Sequence, residues 1–256
     1  MLRDELKALN SRWVSIAVVL VVSVPATARL PAFAQTTPGQ RISSPSPAAY
    51  QDSLQALAQR RMSLGLLYEA ATTDSTRLAV IHRAQSEIAR SVTHAIAPFW
   101  YGTRWAFDGV SQTPGIGAVA CGYFVTTVLR DAGFAVERRR LAQQPSELII
   151  KSLVGAGCIE RFSDVPVEEF VRHVATQGHG LYVVGLDIHV GFLAHDAQGT
   201  HFIHSSYMPP LCVLREDALE SRILSSSRYR VLGKLTEDKD LAVKWLTGVP
   251  IPTRSR

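Results

Sequence analysis

Apolar residues change their period once along this chain, from three- and four-residue spacings early on to alternation in the last third. The early part reads as helices. Leu54, Leu57, Ala58, Met62 and Leu66 mark one across residues 48–70. Leu78, Ile81, Ile88, Val92 and Ile96 mark a second across 75–96, with Asp74 as N-cap and Pro98 as its end. Residues 99–120 are aromatic and glycine-rich and read as a loop. A helix then opens at Cys121, carries Phe124, Val125, Val128, Leu129 and Ala132 on one side and stops at Gly133. Further helical stretches cover 145–154 and 167–176. Strand patterns follow at 181–186, 188–194, 200–207, 212–215 and 229–235, with turn residues at 196–199. Helices first and a largely antiparallel sheet second predict an α+β domain, its sheet packed on the helix that starts at Cys121.

The two ends stand outside this pattern. Residues 1–34 carry a charged opening, an apolar run at 13–24, and Ala32-Phe33-Ala34 as a small-residue cleavage site. That layout predicts an export signal, and the apolar run is shorter than the ~20 residues of a spanning helix. An uncleaved anchor is the alternative. Residues 35–47 are Ser-, Thr-, Pro- and Gly-rich and read as a flexible linker. The expected organisation is then a helical segment at 48–97, a catalytic domain at 98–240 and a C-terminal tail at 241–256.

Charge adds little. The whole chain is +5, and setting aside residues 1–34 removes four basic and two acidic groups to leave +3. The one dense basic run, Arg138-Arg139-Arg140, reads as the end of an element, not as a nucleic-acid surface. The cysteines are Cys121, Cys158 and Cys212, and an odd number in an exported protein leaves at least one thiol unpaired.

Cys121 is the thiol with chemistry around it. At a loop-to-helix junction it faces unsatisfied backbone N–H groups and the positive end of the helix dipole, which favour a thiolate and can hold an oxyanion. Gly122 leaves its approach open. In Asp187-Ile188-His189-Val190-Gly191-Phe192, strand alternation puts Asp187, His189 and Gly191 on one face and Val190 and Phe192 on the other. His189 is the candidate base. The third member comes from Asp187, His195, His201 or His204. If paired residues sum to 395, Asp196 meets Gly199, Gly191 meets His204, and His204 becomes a diagonal neighbour of His189. A bulge at Gly199 would shift that register by one and turn His204 away, making Asp187 the better candidate.

Cys-Gly-Tyr-Phe-Val at 121–125, His-Val-Gly-Phe at 189–192 and Phe-Ile-His-Ser-Ser at 202–206 resemble the three motifs of NlpC-type papain-like cell-wall peptidases. The resemblance spans residues 95–235. It implies a papain-like fold and hydrolysis of peptide bonds in peptidoglycan stems, with Cys121 as nucleophile, His189 as base and His204 as orienting residue. It departs at Ala120-Cys121-Gly122-Tyr123, where the family has Asp-Cys-Ser-Gly, and Phe99 stands where the family's oxyanion-binding Tyr is usual, leaving Tyr101 as substitute. The family's Pro-Gly-Asp turn before the His strand is missing.

The expected protein is therefore an exported, monomeric thiol hydrolase with no cofactor or metal, no nucleic-acid partner and no lasting membrane span. A relative acting as amidase or acyltransferase on another substrate has the same site. A catalytically inactive module binding wall peptides is the non-enzymatic alternative. A zinc site from His195, His201, His204 and Cys212 has suitable ligands, but His201 and His204 fall on opposite strand faces.

Overall fold

A computed structural model describes residues 46–254; the expected export signal and nearly all of the expected linker lie outside them. The chain runs α1 (Pro47–Ala70), α2 (Asp74–Arg90), a π-helical turn (Ser91–Ile96), α3 (Ala97–Trp100), α4 (Cys121–Asp131), α5 (Arg138–Ala142), α6 (Ser146–Leu153), β1 (Ile159–Ser163), α7 (Val167–Thr176), β2 (Gly180–Leu186), β3 (Val190–Asp196), β4 (Gly199–Ser205), β5 (Val213–Asp217), α8 (Arg222–Ser226), β6 (Tyr229–Lys234) and α9 (Lys239–Thr247). The six strands form one sheet in the order β1-β6-β2-β3-β4-β5, every neighbouring pair antiparallel. The architecture is α+β.

Alternation along the strands sorts the core into two layers. Leu181, Val183, Val190, Phe192, Ile203 and Val231 face one cluster, shared with α1, α2, α4, α6 and α9. Tyr182, Val184, Leu193, Phe202 and Leu232 face the other, under α7 and α8. The sheet is thus covered on both sides, and α4 lies against β3 and β4.

Four expectations change. The second helix does not stop at Pro98: a π-helical turn widens the backbone, and Pro98 then sits in the first turn of α3, where no N–H is required. Its N-cap is Thr73, whose hydroxyl accepts from the Thr76 N–H in a reciprocal capping pair, and not Asp74. Residues 241–256 are not a tail. Leu241, Ala242, Trp245 and Leu246 of α9 are buried in the main core, with the Trp245 indole donating to the Ala132 carbonyl. The edge strand β1 carries little sequence signal, since of Ile159–Ser163 only Ile159 and Phe162 pack against a core, one on each face of the sheet.

All three cysteines are free. Cys158 precedes β1 and Cys212 precedes β5, the two opposite edges of the sheet. Five strand spacings of about 4.8 Å separate those edges, far beyond disulfide reach.

Candidate functional site

Cys121 is the first residue of α4, as the sequence predicts, with Ala120 in extended conformation before it. Its partner arrives from a hairpin. β2 and β3 pair with Gly185 opposite Val190, and the Leu186 N–H donates to the His189 carbonyl, so Asp187 and Ile188 form a two-residue tip. The tip lies beside the start of α4. Cys121, Gly122, Ala142, Gln144, Ser146, Ile188, His189 and Val190 line one cleft there of about 290 Å³.

The backbone N–H groups of Val190, Gly122 and Cys121 itself lower the cost of ionising the thiol. They fit the expected oxyanion-binding character of the helix start. Their effect on the thiol is nevertheless outweighed. Burial pushes the Cys121 thiol above its ordinary value, against the expectation of a ready thiolate. The helix dipole is a surface-scale effect, and here Cys121 is half-buried at the cleft wall.

The 395 register is the one the chain adopts: Phe192 pairs with Ile203 and Asp196 with Gly199. His204 and His189 consequently meet. His189 Nε2 lies 3.0 Å from His204 Nδ1, both side chains buried. Gly191 makes the room, because a Cβ there would stand 2.6 Å from the Phe202 ring and 2.8 Å from the His204 Cβ. His204 stacks flat on Phe202, with ring centroids 4.0 Å apart, on the sheet face turned away from α4. Of the pair, His189 lines the cleft that Cys121 lines. Nδ1 of His189 is buried with no hydrogen-bond partner, so the expected thiol–imidazole hydrogen bond is not made in this structure. Burial, with His204 adding to it, holds the His189 imidazole well below its ordinary value.

Asp187 and Tyr101 are corrected. Asp187 lines the Cys121 cleft, but from the hairpin tip and not from a strand face with His189, and it does not bond that imidazole. Its carboxylate accepts from the Arg228 and Tyr229 N–H groups at 2.8 and 3.2 Å and from the Ser227 hydroxyl at 3.1 Å. The backbone donors, Arg228 first, hold that carboxyl below its usual range. Tyr101 does not line the Cys121 cleft. The Gly102 N–H donates to the Val213 carbonyl, which ties this stretch to β5, and Tyr101 lines a separate pocket of about 450 Å³ with Cys212, Arg215 and Glu216. Its hydroxyl is buried without a partner and pushed up to about 12 by that burial. Gly122 also serves another end than an open approach. A Cβ on it would meet the Ala142 carbonyl oxygen at 2.5 Å, so its role is to let α4 close on the end of α5.

The zinc donors are not gathered. His195 bonds Thr200, His201 bonds Arg215, and His204 is held between His189 and Glu216. Among the described residues, no group of three or more His, Cys, Asp or Glu is placed to hold a metal ion.

Sequence reasoning missed two neighbours. Tyr207 sets its ring edge-on to His189 at 5.2 Å, and burial, with Cys121 adding to it, raises its phenol above the ordinary value; Trp105 packs behind it at 6.4 Å. It follows β4 directly, but nothing in its spacing distinguishes it. Glu216 lies 3.1 Å from His204 Nε2. His204 pairs with Leu214, which makes Glu216 its diagonal neighbour, the same relation His204 has to His189. A strand read through 217 would have found it.

Comparison of the chain with protein-family models, with curated proteins and with solved structures returns no match in any of the three.

Proposed function

We propose that this chain is a thiol hydrolase of the papain-like type, cleaving amide bonds with Cys121 as nucleophile, His189 as general base and His204 as the residue that orients it. One observation carries the reading. A thiol at a helix start shares a cleft with an imidazole whose second nitrogen is buried, unpartnered and opposite a hydrogen-bonded histidine.

The chemistry follows from the protonation states. A protonated thiol and a neutral imidazole start the reaction, since burial disfavours the charged form of both. His189 Nδ1 takes the thiol proton as the sulfur bonds to the substrate carbonyl carbon. The oxygen becomes an oxyanion facing the N–H groups of Val190, Gly122 and Cys121. The imidazolium returns the proton to the departing amine, leaving an acyl-enzyme for water to hydrolyse.

The motif resemblance points to peptide bonds of peptidoglycan stems as the substrate. Digestion of purified peptidoglycan by wild type and Cys121→Ala, with products identified by mass, tests it. New stem-peptide fragments from wild type alone support the assignment. Identical product profiles from the two proteins overturn it.

A further inference from the structure

We propose that Glu216 is a positioning residue that fixes which nitrogen of His189 carries the proton, acting through His204. The inference rests on the hydrolase reading above and deepens it.

The argument is one of donors and acceptors. An ionised carboxylate can only accept, so His204 Nε2–H donates to Glu216 across 3.1 Å. A neutral imidazole has one N–H. His204 Nδ1 is then bare and must accept, and the donor is His189 Nε2–H at 3.0 Å. That uses the one proton of His189. Its Nδ1 is left with a lone pair at the nitrogen that has no protein partner, the form a base must have to take the thiol proton. Without the carboxylate nothing sets this direction: either imidazole could reverse, leaving a proton on His189 Nδ1 and no base.

The surroundings fit. Burial pushes Glu216 up, but hydrogen bonds from His204 and Ser221 outweigh it and leave the carboxyl below its usual value. His204 is buried and held below its ordinary imidazole value by that burial, although Glu216 pulls the other way. The other titratable groups around Glu216 are Tyr101, His201, Arg215, Cys212 and Asp217, lining the same pocket; around His189 they are Cys121, His204 and Tyr207, with Asp187 at the tip. Glu216 is the one carboxylate among them bonded to His204. When His189 becomes an imidazolium during the thiol-to-amine proton transfer, the Glu216 charge, two rings away, is its fixed counter-charge.

Nitrogen-15 NMR of histidine-labelled protein tests the assignment without any substrate. The expected wild-type signature is a protonated Nε2 and bare Nδ1 at His189, with the same pattern at His204. Glu216→Gln, which keeps the shape but can present either its oxygen or its NH2, should give a mixture of patterns with an unchanged melting temperature. On peptidoglycan, Glu216→Gln should lower kcat about tenfold or more with KM little changed. The acid limb of its kcat/KM profile should move to lower pH, because loss of the negative charge makes the base weaker. Glu216→Asp should recover part of the rate. A proton on His189 Nδ1 in wild type, or a Glu216→Gln variant with wild-type tautomers, overturns the proposal. If Cys121→Ala digests peptidoglycan as well as wild type does while the tautomers are as expected, the hydrolase reading fails and the relay stands as a structural fact.

Discussion

The imidazoles of His189 and His204 meet edge to face, their planes 88° apart and their centroids 5.1 Å, with one nitrogen of each in hydrogen-bond contact. Of the candidates for an orienting residue, His204 is the one in hydrogen-bond contact with His189. His204→Ala removes the acceptor that holds His189, and by analogy with other triads the cost should be at least about a hundredfold in kcat. His204→Asn can still accept and should retain part of the activity. His201→Ala and Asp187→Asn should each stay within about threefold of wild type. His201 bonds Arg215 at the surface, and an amide at Asp187 can keep accepting from the 227–229 backbone and hydroxyl. Steady-state rates of the four variants settle the ranking. A strong loss in His201→Ala would contradict it.

Gly191 should tolerate no side chain. A methyl group there meets the Phe202 ring and the His204 Cβ well inside contact distance, and both are buried, so neither can swing away into solvent. Gly191→Ala should destabilise by roughly 1–3 kcal/mol, the usual range for overpacking, and disorder the imidazole pair. Gly157→Ala, where a Cβ would meet nothing within 4 Å, is the control. Equal chemical-denaturation midpoints for the two variants would rule this out.

The histidine pair was legible because a β-hairpin obeys a parity rule: once Asp196 meets Gly199, every face follows. Cys121 was legible from the glycine-rich loop giving way to a helical period. What escaped the sequence depends on facts the pattern does not encode. Whether α4 lowers or raises the thiol is decided by how far the sulfur is buried. Asp187 is held off the His189 imidazole because Ser227, Arg228 and Tyr229, some forty residues on, offer their donors to it. Tyr101 shares a motif-like stretch with the loop before Cys121, but backbone bonds joining residues 102, 103 and 105 to Val213 and Leu211 take it to another pocket. The long-range packing of α9 was hidden behind a short, late amphipathic pattern.

That last helix should be indispensable. Trp245 is fully buried, touches the core shared by α1, α2 and α4, and donates to Ala132 at the end of α4. Trp245→Ala should cost about 3–5 kcal/mol, the range for large aromatic truncations in a core. A chain ending at residue 240 should fail to give a cooperative thermal transition. An unchanged melting curve for that truncation would return α9 to the status of a tail.

Two buried neutral histidines also give stability a pH dependence. His189 and His204 both sit below the ordinary imidazole value, about 6.5. Below that pH the unfolded chain binds protons that the folded chain refuses. Stability is therefore full above about 6.5 and falls as pH drops toward 5, before the carboxylates held low, such as Glu147 and Glu216, begin to titrate. The melting temperature of wild type should decline across that window, and a His189→Asn, His204→Asn double variant should decline less. Parallel curves would show that the two imidazoles are not protected from protonation.

The thiol offers the sharpest test of how the reaction starts. A thiolate–imidazolium pair would make Cys121 react quickly at neutral pH. Here burial raises the thiol and lowers the imidazole, so both stay uncharged until the proton moves in the reaction itself. Alkylation by iodoacetamide follows the thiolate fraction. With the folded thiol above its ordinary value, that fraction at pH 7 is smaller than for a free cysteine, and the rate should keep rising past pH 9. Cys158 and Cys212 are also free, so the modified residue is read by peptide mass, and denatured protein should give three thiols. Native Cys121 should alkylate more slowly at pH 7 than a cysteine peptide does, while hydrolysis at the same pH runs near its plateau. A fast, pH-independent alkylation of Cys121 from pH 6 to 8 would mean that the ion pair is preformed, and the general-base order of events would have to be replaced.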